Sequence, residues 1–145
     1  MKELLYLKDD LLKELIENLF VSYRDSFADS KKMLNKYSFG VAHHKVLHLV
    51  SMYNGITVSE LIKKLKVTKQ SLNRVFKDLI KEEVIIFKKG EKDSRIKHIF
   101  LNKKGEQIFN EIFSAQKKRI YNALLNSSSE EVVNFDNVLK RIING

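Results

Sequence analysis

Residues 85–106, "IIFKKGEKDSRIKHIFLNKKGE", decide how the rest of the chain is read. Two short apolar runs, Ile85-Ile86-Phe87 and Ile96 with Ile99-Phe100-Leu101, flank a loop of Lys, Gly, Glu, Asp, Ser and Arg. β-Branched and aromatic residues on either side of a glycine-containing polar turn predict a β-hairpin. Its tip is loaded with charge and ends on Asp93-Ser94-Arg95. Taken alone, this is equally a solvated turn with an incidental ion pair, and the neighbouring segments have to decide.

Upstream of the hairpin the apolar residues recur at three- and four-residue steps, the period of an amphipathic helix. Residues 9–27 carry Leu12, Ile16, Leu19, Phe20, Tyr23 and Phe27 at such steps and predict one long helix. Residues 29–40 give mixed signals and predict a turn, with Ser38 a candidate cap. Residues 41–53 predict a helix stopped by Asn54-Gly55. Residues 56–67 predict a short helix with Val58, Leu61, Ile62 and Leu65 inward. Residues 68–85 predict a third, with Thr68 as N-cap and Leu72, Val75, Phe76 and Leu79 as its apolar stripe. Downstream, residues 103–125 predict a second long helix, "NSSS" at 126–129 a break, and Ser129 the cap of a last helix ending near Ile143.

Two short helices joined by a tight turn, the second polar on its outer face, have the layout of a helix-turn-helix. A hairpin directly after them makes it a winged helix with the charged loop as the wing. The expected fold is therefore mostly α with a small β-hairpin wing: a winged helix-turn-helix core flanked by long helices. At 145 residues the chain suits a single domain.

The net charge of +9 is informative because it is concentrated. Residues 1–56 hold eight Lys/Arg against seven Asp/Glu, residues 57–104 fourteen against six, and residues 105–145 five against five. Such an excess on one segment is the footprint of a polyanionic partner. With the apolar stripe of the third helix turned inward, its outer face bears Lys69, Gln70, Ser71, Asn73, Arg74 and Lys77, with no acid before Asp78. Arg matches the paired acceptors of guanine, Asn or Gln matches adenine, and Ser or Lys serves phosphate. A solvated helix face ordinarily mixes both signs of charge.

The run "TVSELIKKLKVTKQSLNRVFKDLIKEEVIIFKKGEKDSRIKHIFLNKKGE" resembles the MarR family of bacterial winged-helix repressors. The resemblance rests on the order of the two helices, the Asp93-Ser94-Arg95 wing signature, the strand end Leu101-Asn102 and the helix-opening Gly105, and covers roughly residues 56–106. The flanking helices match in length, placement and amphipathic character. Four departures stand out. Glu83 replaces a usual Gly, Asn102 replaces a usual Thr, the wing lacks a common Pro, and Lys77-Asp78 replaces an acid-then-Arg pair.

The resemblance implies a lobe at about 40–104 between helical dimerisation arms at about 1–39 and 105–145. It implies a homodimer on pseudo-palindromic double-stranded DNA, a repressor relieved by a small aromatic ligand. At the wing it implies Arg95 entering the minor groove, held by Asp93, with Lys92 beside them. DNA contact is thus expected at Lys69, Gln70, Ser71, Asn73, Arg74, Lys77, Lys92, Asp93 and Arg95. Tyr37, Phe39, His43 and His44 could line a ligand space or be ordinary core residues, and no ligand site is assigned. The rival reading is a winged-helix module for protein or RNA without a ligand switch. The long apolar arms favour the dimer, since two-fold pairing would bury them.

Other classes find little support. The five glycines fall at element junctions and the C-terminus, leaving none for a phosphate-cradling loop. Asp9-Asp10 and Glu82-Glu83 are helix neighbours that point about 100° apart, so neither is an acid/base pair. No catalytic residue, cofactor or metal is expected, although His44 and His48 have metal-compatible i, i+4 spacing. His98 is expected on the hairpin, near DNA or a second subunit. Cysteine is absent, which removes thiol chemistry. Acidic residues interrupt the apolar start of the chain, so a signal peptide is not expected and the cytoplasm is. No window suits a membrane span.

Overall fold

The computed structural model describes residues 4–145; residues 1–3, which belong to the predicted first arm, lie outside the described residues. After a single 3-10 turn at Leu5–Leu7 come α1 (Asp9–Ala28), α2 (Lys31–Asn35), α3 (Val41–Met52), α4 (Val58–Leu65) and α5 (Lys69–Lys81). The hairpin β1 (Ile85–Lys89) and β2 (Lys97–Leu101) follows, then α6 (Lys103–Leu125) and α7 (Ser129–Asn144). The chain is mostly α with one small antiparallel hairpin, as its periodicity predicts.

Two compact units can be distinguished. One is Phe27–Ala115; the other combines the chain before Phe27 with Gln116–Gly145. The first unit holds the core. Leu47, Val50, Leu61, Leu72, Leu79, Val84, Ile99 and Ile112 are almost wholly removed from solvent, each 2% exposed or less. These residues come from α3, α4, α5, β2, α6 and the turn before β1, so α5 and the hairpin share one core. Of the predicted inner face of α4 only Leu61 is fully buried; Val58, Ile62 and Leu65 pack on the rim of that core.

β1 pairs with β2 from Ile85↔Leu101 to Lys89↔Lys97. On its other edge β2 meets the segment before α4: Ile99 donates to the Ile56 carbonyl (2.9 Å), Gly55 donates to the Ile99 carbonyl (3.0 Å), and Thr57 bridges His98. Residues 55–57, which the helical reading of 56–67 absorbs, are thus a short third edge. α4 starts only at Val58, with Thr57 as N-cap accepting from the Glu60 amide.

The remaining boundary differences have local causes. The 29–40 turn contains the one-and-a-half-turn α2, and Ser38 caps nothing: it stands at φ 57°, while Gly40 is the N-cap of α3. α5 stops at Lys81 rather than running on to 85. Glu83 adopts φ 57°, its N–H reaches the Ile80 carbonyl (2.9 Å), and the Val84 N–H reaches the Leu79 carbonyl (3.1 Å). That is a Schellman ending, sealed by the apolar pair Leu79 and Val84. At α7 the cap is Ser128 rather than Ser129: its hydroxyl accepts from the Glu131 amide while Glu131 accepts from the Ser128 amide.

The second unit is different in kind. α1 and α7 contain no buried residue, and Leu15, Ile16, Phe20, Tyr23, Phe135 and Val138 are all exposed. The distal part of α6 likewise exposes Ile120, Tyr121, Leu124 and Leu125. Among the described residues no helix is long and apolar enough to cross a membrane.

Candidate nucleic-acid interface

α5 begins where Thr68 accepts the Ser71 amide (3.1 Å), which satisfies one of the amides a helix start leaves open. Leu72, Val75, Phe76 and Leu79 are buried, as their spacing predicts. The opposite face carries Lys69, Gln70, Ser71, Asn73, Arg74 and Lys77, all exposed. These six side chains are therefore brought together on one helix face. Ser71 differs from the rest, because its hydroxyl is held against the Thr68 hydroxyl at 3.1 Å.

Asp78, one of the family departures, has a specific partner. Its carboxylate lies 2.8 Å from His43 Nε2, and His43 Nδ1 accepts the Gly40 amide (3.0 Å). With Nδ1 an acceptor, the ring proton sits on Nε2 and donates to Asp78. His43 also stacks on Phe39 (5.1 Å between centroids), and Phe39 in turn faces Tyr37. The start of α3 is thereby tied to the outer side of α5. Sequence reasoning did not anticipate this tie; the acid breaking the donor face was its one visible signal.

The wing tip is built around Asp93. Its Oδ1 accepts both the Arg95 amide (3.0 Å) and Arg95 Nε (3.1 Å), and its Oδ2 accepts Arg95 Nη2 (3.1 Å). These bonds hold the Asp93 carboxyl below its ordinary range, the guanidinium being the larger cause and the amide the second. Although doubly held, the Arg95 side chain remains 90% exposed. Gly90 closes the turn by donating to the Ile96 carbonyl (2.8 Å), and a Cβ there would come within 2.6 Å of the Asp93 carbonyl oxygen. Lys92 is exposed beside them.

Between α5 and the wing lies an open cleft of about 1110 Å³. Its floor is apolar, with Ile62, Phe76, Ile80 and Phe87. Lys69, Asn73 and Lys77 line it from α5, and Asp93, Arg95 and Lys97 from the wing. Phe76 meets Phe87 edge-on at 5.2 Å, which joins the two walls.

The base of the hairpin is tied to α6. Asn102 caps that helix, its Oδ1 accepting the Gly105 amide (2.7 Å), while its Nδ2 donates to the Glu83 carbonyl and its own amide to the Val84 carbonyl (3.2 Å). A Cβ on Gly105 would overlap the Val84 carbonyl, so only glycine allows this approach.

The histidines divide. His98 is half-buried on β2, its Nδ1 2.8 Å from the Gly55 carbonyl, so that ring nitrogen latches the third edge and does not point into solvent. His44 is buried against Ser30 (3.3 Å) and Phe27. His48 instead meets Phe109 edge-on, and burial pushes its imidazole below the ordinary value of 6.5. Among the described residues no three His, Asp or Glu side chains form a metal-sized group. Tyr37, Phe39 and His43 form a row, and Tyr37 reaches Glu111 at 3.4 Å. Burial, then the nearby carboxylate, raises that phenol above its ordinary value.

Residues 37–96 match the model of the MarR family. The HTH-type transcriptional regulator PetP of Rhodobacter capsulatus is 36% identical over 140 residues, covering 97% of this chain and 84% of that protein. Among solved structures, NadR in complex with 4-hydroxyphenylacetate superimposes with TM-score 0.76 at 15% identity, covering 98% of this chain and 97% of that one. Apo MarR from E. coli gives 0.66 at 21% identity, covering 88% and 96%. The structural neighbours speak for the fold and the PetP relative for descent, and together they make the chain a member of the MarR family of winged-helix transcriptional regulators.

Proposed function

We propose that this regulator is a homodimeric, sequence-specific repressor of a pseudo-palindromic operator, acting in the cytoplasm and released by a small aromatic ligand. The observation that carries the reading is the pairing of an exposed donor face on α5 with an exposed, carboxylate-held Arg95 across one cleft. Lys69, Gln70, Asn73, Arg74 and Lys77 enter the major groove, with Arg74 and Asn73 reading bases and the lysines meeting phosphate. Ser71 contributes through its place at the helix start. Arg95 enters the adjacent minor groove, Asp93 fixes its plane, and Lys92 neutralises a flanking phosphate.

The dimer is supported by the large apolar residues that α1, the distal part of α6 and α7 leave exposed, since contiguous faces of this kind mark interaction surfaces. We take the chain as one MarR-type domain, with a DNA-binding lobe at about 40–104 and arms on either side. Ligand release is supported by the aromatic acid bound to NadR. The test is a gel shift on DNA upstream of the gene, with and without 4-hydroxyphenylacetate and related phenolic acids. A shift that the acid reverses is the expected result. If no upstream segment is shifted above a random duplex, the reading is wrong and a protein- or RNA-binding role takes its place.

A further inference from the structure

Lys89 and Lys97 stand directly opposite each other on the hairpin. The Ile99 amide and carbonyl both turn to the far edge of β2, toward Ile56 and Gly55. Phe87↔Ile99 is therefore a pair without mutual backbone bonds, and Lys89↔Lys97, two residues on, is another. In such pairs the side chains are at their closest, and like charges there destabilise the sheet. Among the described residues neither lysine has a carboxylate partner. The wing thus sets two like charges directly opposite each other, an arrangement that a single Gln would remove.

Alternation along the strands places this pair on the same face as Phe87 and Ile99, the face turned to α5. Lys97 lines the cleft there, opposite Lys69 and Lys77 of α5. The acids at the cleft are already engaged: Asp93 holds Arg95, and Glu60 accepts the Thr57 hydroxyl at 3.0 Å. What the cleft presents is two cationic walls over an apolar floor.

We infer that Lys89 and Lys97 form a phosphate clamp that seats one DNA backbone in the cleft between α5 and the wing. The strand between a major groove read by α5 and a minor groove entered by Arg95 has to pass through this space. Its phosphates would meet the lysines and its sugars the apolar floor. This rests on the DNA-binding reading above and adds residues to it. The repulsion in the free protein is relieved when a phosphate comes between the two ammonium groups.

The test uses the full chain and a mixed-sequence duplex, since phosphate contacts do not depend on sequence. Lys89→Gln, Lys97→Gln and the double variant are compared with the parent and with Arg95→Ala across a salt series. Each Gln replaces a lysine in both protomers of the dimer, so it should lower the slope of log K against log salt by about 1.8, about 0.9 per half-site, and weaken binding roughly sixtyfold at 0.1 M salt, from the counterions no longer released. The same variants should melt about 1–2 °C higher than the parent, because the like-charge pair is gone. Lys97→Arg should keep the slope. Unchanged slopes in the Gln variants, with Arg95→Ala still weakened, would overturn the clamp alone. A parent that binds no duplex would overturn both the clamp and the proposed function.

Discussion

Glu83 and Asn102 are two departures from the family pattern that turn out to touch. Glu83 holds a left-handed backbone at the position where the resemblance to the family places a usual Gly, and Asn102 donates its amide to the Glu83 carbonyl. A left-handed conformation costs a residue with a Cβ roughly 1–2 kcal/mol, and the extra chain entropy of glycine offsets about half of that gain. Glu83→Gly should therefore raise stability by about 0.5–1 kcal/mol in urea unfolding. A lower midpoint would mean that the Glu side chain has a role of its own. Gly105→Ala should act in the opposite direction, by about 3 kcal/mol or more, because its Cβ meets the fixed Val84 carbonyl. Near-wild-type stability would show that the turn can open. Gly105 was legible in the sequence as a helix-opening glycine, but its reason was not. Nor was the Glu83–Asn102 contact, since residues 19 apart in sequence are joined only by the fold.

At the scale of elements, the cap Thr68 and the stripe Leu72, Val75, Phe76 and Leu79 were readable because helix period and capping are local physics. Ser128 and Ser129 were harder to separate, since a run of serines offers several caps until the position of Glu131 selects one. The short edge at 55–57 was unreadable, because its partner β2 lies more than forty residues on. Among the expected contacts, α5 and the wing should divide the work. Arg74→Ala should cost about 1–3 kcal/mol of operator binding and relax preference at one position per half-site. Arg95→Ala should hurt sites with A·T-rich flanks most and leave the central preferences alone. Asp93→Ala should follow Arg95→Ala more mildly, since the charge stays but loses its holder. Affinities at fixed salt over a small site library decide this. If Arg95→Ala binds every site like the parent, the wing is only a solvated turn.

For the whole molecule, the contrast is between a buried core in Phe27–Ala115 and open apolar faces in the other unit. The sequence announced those faces as long amphipathic helices, but periodicity alone does not say what covers them. If a second copy does, sedimentation at micromolar concentration should give about twice the chain mass of 17.0 kDa. A monomer with a cooperative melt would refute the pairing of arms. Replacing Phe20 and Tyr23 by Ser should then shift the mass toward the single chain and weaken DNA binding together, because each half-site would be held alone.

The knot at the foot of the hairpin bears on more than stability. Asn102, Glu83, Val84 and Gly105 tie the wing to α6, while Phe87 against Phe76 ties it to α5. The separation between α5 and the wing, the two elements proposed to read DNA, is then held by these contacts before any DNA arrives. A caliper of fixed opening senses the pitch of the object it grips as well as its surface. Affinity for one and the same site should thus vary with linking number when that site is carried on closed minicircles, overwound or underwound. Equal affinity for all topoisomers would show a wing that swings, whatever its anchoring.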